Sequence, residues 1–100
     1  MTENVESEPE PRVTDNRAER RYEVYVGDAL AGFVTYHAMP GQLTFIHTEV
    51  DPGLRRRGLG SALARGALDD ARAKGVHVVA VCPFIETFIE GHPEYADLVA

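Results

Sequence analysis

A short stretch rich in arginine and glycine has the composition of an anion-binding loop. At the predicted start of a helix, the sequence contains Arg55, Arg56, Arg57, Gly58, Gly60 and Ser61. The first turn of a helix has backbone N–H groups without intrahelical acceptors, and its positive potential favours anions. Glycine lets a phosphate oxygen approach the backbone, and arginine supplies permanent charge and planar donors. The stretch therefore predicts a phosphate-binding loop, and an arginine-rich, solvated helix start is the alternative.

Two other phosphate-binding motifs fit this stretch less well. A P-loop needs a lysine followed by serine or threonine, and the glycines here have no such pair beside them. A dinucleotide-binding fingerprint needs a third glycine, where this chain has Leu63. It also needs an acidic residue after a second strand, whereas Asp69 and Asp70 fall within the predicted helix.

Three further side chains have the chemistry of proton transfer or nucleophilic attack. Cys82 precedes Pro83 at a predicted helix start, where a thiolate is favoured, so it could act as a nucleophile or a proton donor. Cysteine is also commonly buried, so Cys82 could simply pack. His47 could act as a general base near neutral pH, although a mid-strand histidine often only packs. Glu49 could activate a water, or pair with an arginine.

Composition and charge limit the kinds of partner. The chain has 100 residues, one cysteine and a net charge of −6. This length suits one domain, and a single cysteine fits a reducing compartment and argues against a zinc site. No apolar run reaches the roughly 20 residues that cross a membrane, and the acidic N-terminus is unlike a signal peptide. Negative charge argues against nucleic-acid binding. We predict a cytoplasmic protein without metal, membrane or nucleic-acid partners.

A mixed α/β arrangement is predicted to position these residues. Strands at 21–26, 29–38 and 43–50 form an antiparallel meander, with a two-residue turn at Gly27-Asp28. A helix at 59–74 crosses over to a strand at 76–81 that is parallel to the third strand. A short helix after Cys82 is expected to bury Phe84, Ile85, Phe88 and Ile89 and to stop at Gly91.

Alternation along the third strand predicts which of its side chains share a face. One face is expected to carry Leu43, Phe45, His47 and Glu49, and the other Thr44, Ile46, Thr48 and Val50.

The chain is predicted to divide into a tail and a domain. Residues 1–20 carry six acidic and three basic side chains and few apolar ones, so they have little surface to bury. We predict a disordered acidic tail over residues 1–20 and a folded domain over residues 21–100.

The motifs and their order resemble the GNAT superfamily of N-acetyltransferases. Arg55-x-x-Gly58-x-Gly60 matches the superfamily's pyrophosphate-binding signature, Gln/Arg-x-x-Gly-x-Gly/Ala. His47-Thr48-Glu49-Val50 before this loop and Cys82-Pro83-Phe84 after the parallel strand resemble its very small single-domain branch, which includes NATD-type proteins. The resemblance covers residues 21–100 and implies a truncated GNAT-like fold, with a meander, a βαβ crossover and short C-terminal helices.

The resemblance implies an acetyl-coenzyme A-dependent N-acetyltransferase that moves an acetyl group to an amine, either a small amine or a protein lysine. The loop from Arg55 through Ser61 would hold the pyrophosphate. The pantetheine arm would lie where the third and fourth strands separate, beside Val50 and Val81, with the thioester near Cys82. A monomer or a small homo-oligomer is expected.

This chain also departs from larger members of the superfamily. They have two helices between the first strands, where this chain has only Gly27-Asp28, so the acceptor site is expected to be open, shared with another subunit, or completed by a large substrate. Ile89 stands where many members have a tyrosine that protonates the leaving thiolate, so that role is unfilled or moved to Tyr95. Two alternative functions are a non-catalytic module that binds coenzyme A and an interaction protein whose arginines dock an acidic partner.

Overall fold

The computed structural model describes residues 10–53 and 58–100. Arg55, Arg56 and Arg57 thus lie outside the described residues, as does the first part of the predicted tail. In chain order the elements are β1 (Pro11–Asn16), β2 (Arg21–Val26), β3 (Ala29–Met39), β4 (Gln42–Val50), α1 (Leu59–Lys74), β5 (His77–Ala80), α2 (Pro83–Glu90) and a final 3-10 helix (Pro93–Leu98).

The strands form one mixed sheet in the order β1-β2-β3-β4-β5. The first four are antiparallel to their neighbours, and β5 runs parallel to β4 after the crossover through α1. The predicted meander, the turn at Gly27-Asp28 and the bounds of α1 are confirmed. The predicted α/β fold with a mixed sheet is therefore correct.

The ends of α1 follow from two glycines. Gly58 before the helix and Gly75 after it both have left-handed backbone conformations, with φ of 92° and 70°. Glycine adopts this region without the steric cost that a Cβ brings. Between them α1 buries one apolar face against the sheet, formed by Leu59, Leu63, Ala64, Ala67, Leu68 and Ala71.

Strand β1 corrects the predicted disordered tail. Residues 11–16 pair with β2 instead of lying free, and Val13 packs so closely over α1 that a Cβ at Gly66 would lie 2.7 Å from it. Asp15 accepts hydrogen bonds from the Tyr36 hydroxyl at 2.6 Å and from Lys74 Nζ at 2.8 Å. Low apolar content misled the prediction because ladder hydrogen bonds and polar contacts hold β1.

A polar cluster links α1 to the strands beneath it. The Tyr22 hydroxyl donates to Asp70 at 2.5 Å, and Lys74 lies 2.8 Å from Asp70, one helical turn earlier. Burial, followed by the hydrogen bond to Asp70, raises the pKa of Tyr22 above its ordinary value. Hydrogen bonds to Asp15 and Asp70 raise the pKa of Lys74.

The apolar core lies on one face of the sheet. It includes the apolar faces of α1 and α2, Tyr95 and Leu98 of the 3-10 helix, and the inward side chains of the strands. Over β1, β2 and β3, the only described helix that packs on the sheet is α1. The opposite face of these strands is therefore free of helices within the described part of the chain, and we call it the helix-free face.

Candidate functional site

Strand β4 has an irregularity in its middle. On β3, Thr35 pairs with His47 and Tyr36 pairs with Phe45, so Ile46 is an extra residue without a partner. Such a β-bulge disrupts the regular alternation of side chains along the strand. Strand β4 therefore has two halves whose side chains alternate out of phase.

The bulge corrects the predicted faces of β4. Phe45 is fully buried in the core. Beyond the bulge, however, His47 and Glu49 are exposed, while Val50 packs against the core and Thr48 contacts Cys82. The prediction that His47 and Glu49 share a face with Phe45 is wrong, because the extra residue shifts the alternation by one position.

Strands β4 and β5 separate just beyond this bulge. Their parallel ladder ends at the pair Phe45 and Ala80. The backbone N–H groups of Val81 and Cys82 then both donate to the Phe45 carbonyl, at 3.0 and 2.9 Å. The second half of β4 thus has no ladder to β5, and an opening forms beside Val81, whose surface is 60% exposed.

A groove of about 440 Å³ lies between this second half of β4 and the start of α1. It is lined by Thr48, Val50, Gly58, Leu59, Gly60, Ser61 and Phe84. The first-turn backbone amides of α1 belong to this wall, and amides in this position lack intrahelical acceptors. The groove therefore joins a place suited to an anion with an apolar wall.

Gly60 has a neighbour that sequence reasoning did not foresee. A Cβ at this position would lie 3.0 Å from Cζ of the Phe84 ring. Phe84 was expected to be buried, but it is 38% exposed and forms part of the groove wall. That expectation was wrong because the ring lies over the start of α1 rather than inside the core. Glycine at position 60 makes room for it.

Cys82 lies where the sequence placed it, at the N-cap of α2. It is 2% exposed, and its Sγ lies 3.0 Å from Oγ1 of Thr48. Thr48 also lines the groove, so one hydroxyl side chain lies between the groove and the sulfur. Sequence reasoning missed Thr48 because regular alternation gave no reason to pair it with Cys82.

His47 and Glu49 form a pair on the side of β4 that continues the helix-free face, because they lie opposite Thr35 and Phe33 of β3. Nε2 of His47 lies 2.8 Å from Oε2 of Glu49, and the two side chains are 58% and 62% exposed. Cys82 is buried on the core side. The three predicted catalytic side chains therefore divide into two groups, one on each side of the sheet.

A buried carboxylate, Glu23 of β2, lies on the helix-free face and links β1 and β2 by hydrogen bonds. Glu23 is 3% exposed and accepts hydrogen bonds from Arg21 Nε, the Tyr25 hydroxyl and Asn16 Nδ2, at 2.7, 2.8 and 2.9 Å. Burial alone would raise the pKa of Glu23, but these hydrogen bonds outweigh burial and hold the pKa below its usual value. Glu23 is thus stabilised as a carboxylate.

Tyr95 is engaged away from the groove. Its hydroxyl donates to Asp69 at 2.8 Å, and its ring is buried. Ile89 is also buried. Neither side chain lines the groove, so the geometry gives no support for Tyr95 as a proton donor there.

The described residues contain neither a metal-ligand cluster nor a membrane-spanning helix. No three His, Cys, Asp or Glu side chains in residues 10–53 and 58–100 are grouped so that they could hold a metal ion. Over the same ranges, no helix has the length and apolar character needed to cross a membrane.

Comparisons with solved structures place the fold among acetyltransferases. A GCN5-like protein from Staphylococcus aureus matches 89% of this chain and 87% of its own, with 22% identity and a TM-score of 0.67. The ribosomal-protein-S18-alanine N-acetyltransferase from Escherichia coli matches 60% of this chain and 41% of its own, with 27% identity and a TM-score of 0.54. Ard1 from Thermoplasma volcanium matches 61% of this chain and 43% of its own, with 25% identity and a TM-score of 0.51.

Sequence comparisons give the family. No match was found among curated proteins. The family model described as GCN5-related N-acetyl-transferase matches residues 21–98, which include the groove, Cys82 and the His47–Glu49 pair. This chain therefore belongs to the GCN5-related N-acetyltransferase (GNAT) family.

Proposed function

We propose that this protein transfers the acetyl group of acetyl-coenzyme A to an amine, and that it belongs to the NATD-type branch of the family. The observation that carries the proposal is the groove at the start of α1, which is lined by the second half of β4, beyond the point where the ladder to β5 ends. A helix start suits a pyrophosphate, and an opening between strands can take an extended arm. The cytoplasmic location stays a prediction.

The cofactor would be held in two parts. Backbone amides of Gly58, Gly60 and Ser61 would bind the pyrophosphate, together with the arginines at 55–57 that directly precede them in the chain. The pantetheine arm would follow the free side of β4 at Val50 towards Val81. This route leads from the groove past Thr48, the side chain that contacts Cys82.

Two side-chain groups would then share the chemistry. On the helix-free face, Glu49 with His47 would take the proton that an ammonium group must lose before it attacks a carbonyl carbon. On the core side, the Cys82 thiol has two possible roles. It can protonate the departing coenzyme A thiolate, or its thiolate can displace that thiolate, hold the acetyl group and pass it to the amine.

Binding of the cofactor is tested by thermal unfolding with coenzyme A, acetyl-coenzyme A and dephospho-coenzyme A. A ligand at 100 times its Kd stabilises the folded protein by about 2.7 kcal/mol. We expect coenzyme A and acetyl-coenzyme A to raise Tm. No stabilisation by any of the three would contradict the proposal and leave an interaction protein as the better interpretation.

A matched pair of variants locates the binding site. Gly58 and Gly41 both have positive φ, 92° and 74°, and a Cβ at either position would meet nothing within 4 Å. Gly58→Val and Gly41→Val therefore strain the backbone similarly, but only Gly58 lies in the groove. We expect weaker coenzyme A binding in Gly58→Val alone. Equal affinity in both variants would exclude this loop as the phosphate site.

The second candidate function is a non-catalytic module that binds coenzyme A. It is favoured by two observations, the 2% exposure of Cys82 and its separation from His47 and Glu49. Release of free coenzyme A with a panel of amines distinguishes the two functions. Turnover no faster than in buffer with every amine, despite tight binding of acetyl-coenzyme A, would favour the binding module.

A further inference from the structure

We infer that the acceptor is a primary amine on an unbranched alkyl stem, and that the stem lies in a pocket on the helix-free face beside Glu49. This inference rests on the proposed function, since it names the acceptor of the same reaction. The pocket has a volume of about 320 Å³ and lies between the first half of β3 and the end of β4. It is lined by Leu30, Ala31, Gly32, Phe33, Glu49, Val50, Asp51 and Pro52.

The position of the pocket connects it to the proposed chemistry. Val50 lines both this pocket and the cofactor groove, so the two cavities adjoin at the end of β4. Glu49 is both a wall of the pocket and the partner of His47 at 2.8 Å. An amine seated in the pocket would therefore lie beside the pair that we propose as the base, and across β4 from the groove.

The walls of the pocket suit an apolar stem. Leu30 is 36% exposed, which leaves part of its apolar surface free for contact. Phe33 is half-buried, and the Arg21 guanidinium lies 4.5 Å from the centre of its ring. Arg21 is in turn held by Glu23 at 2.7 Å. The buried Glu23 carboxylate thus holds Arg21 against the Phe33 ring.

The rim of the pocket suits a cationic head. Asp51 Oδ1 accepts a hydrogen bond from the Gly53 backbone at 2.8 Å, so this carboxylate stabilises the turn. Glu49 is also exposed, and its hydrogen-bonded partner His47 can relay a proton. An alkyl ammonium group would pair with Glu49 and lose a proton to this pair. The neutral amine would then be ready to attack.

The open surroundings allow two sources of this chemistry. No described helix covers the helix-free face over β1–β3, so an alkylamine could arrive as a free diamine or as a lysine side chain of a polypeptide. Both present the same group, a primary ammonium on an unbranched stem. Bulky or branched acceptors would lose the contact with Leu30 and Phe33.

The test measures amine binding directly, without turnover. Coenzyme A-saturated protein is titrated with ethylamine, propylamine, butylamine and pentylamine and followed by NMR. Burial of each added methylene strengthens binding by up to about fourfold. We expect Kd to fall along this series in the wild type and the fall to be largely lost in Leu30→Ser. Met39→Ser, which changes a half-exposed side chain at the other end of β3, should behave as the wild type.

Two results would overturn the inference. One is a Kd that does not depend on stem length, and the other is an unchanged series in Leu30→Ser. Failure of coenzyme A itself to bind would instead contradict the proposed function, so the two failures are distinguishable. Titration with 1,5-diaminopentane and with Nα-acetyl-lysine methylamide, whose side-chain amine is free, separates the two sources of the alkylamine. Binding of either one that depends on Leu30 supports the inference, and binding of neither contradicts it.

Discussion

On the core face of the sheet, Cys82 is buried and its sulfur contacts Thr48. On the opposite face, His47 and Glu49 are exposed to solvent. One extra residue, Ile46, produces this difference, because it shifts the alternation of the side chains by one position in the second half of β4. The core face offers a buried thiol beside a groove, and the helix-free face offers an exposed pair of a carboxylate and an imidazole. Under the proposed function, this small domain would bind the acetyl donor on one side of β4 and the amine on the other.

The largest effect is expected from the sheltered thiol. If Cys82 protonates the leaving group or carries the acetyl group, Cys82→Ala should lower kcat by about 10²- to 10⁴-fold. Coenzyme A affinity should change little, because the sulfur lies behind Thr48 rather than in the groove wall. The measurement is the rate of coenzyme A release, with thermal unfolding as the control for folding. An unchanged kcat would mean that Cys82 takes no part in the chemistry.

A somewhat smaller loss is expected on the helix-free face. Glu49→Gln keeps the size of the side chain but removes its capacity to take a proton, so kcat should fall by about 10²-fold. Raising the pH should restore much of the rate, since more of the amine is then already neutral. The check is a kcat profile against pH for both proteins. Parallel profiles at the same height would mean that Glu49 takes no part.

A third variant separates two reasons for a glycine in the groove. The family signature accepts alanine at this position. Here, however, Gly60→Ala should weaken coenzyme A binding by about tenfold, because the new Cβ displaces the Phe84 ring. A cost of about 1.4 kcal/mol reduces the affinity by that factor. In a Phe84→Ala background the same change should have almost no further effect. Calorimetric titration of the four proteins gives the coupling. Additive losses would show that Gly60 serves the phosphate alone.

The smallest effect on the reaction is expected from Glu23. Glu23→Gln should lower the free energy of unfolding by about 1–2 kcal/mol, since it weakens hydrogen bonds to a buried carboxylate, and it should leave coenzyme A affinity unchanged. The pKa of Glu23 is lowered in the folded protein, so its stabilisation is present above the unfolded pKa of about 4.3 and is lost as the pH falls through the folded pKa.

Denaturant unfolding at pH 7 and in steps below pH 4.5 checks this prediction. The wild type should lose stability over the acidic range faster than Glu23→Gln, so the difference between the two proteins should shrink. A difference that stays constant with pH would mean that the carboxylate charge is not what stabilises the strands.

The sequence predicted the elements whose signals are local. Gly58 and Gly75 mark the ends of α1, Gly27-Asp28 marks a hairpin, and Pro83 marks the start of α2. Each signal depends on backbone conformations or donors within a few residues. The parallel β5 followed from its apolar run and the crossover rule.

The missed features depend on contacts between distant parts of the chain. Pro11–Asn16 is polar, and its partners Tyr36 and Lys74 are far away in sequence. The bulge at Ile46 is invisible in the sequence of β4, because the extra residue is defined only by pairing with β3. The exposed ring of Phe84 over Gly60 and the hydrogen bonds of Glu23 likewise appear only once the elements are packed.

A crystal structure with bound coenzyme A tests the central claim most directly. We predict pyrophosphate oxygens within hydrogen-bond distance of the amides at Gly58–Ser61, and the sulfur in the opening between β4 and β5, near Thr48. Coenzyme A bound on the helix-free face, or a groove that stays empty while the ligand binds elsewhere, would contradict this account.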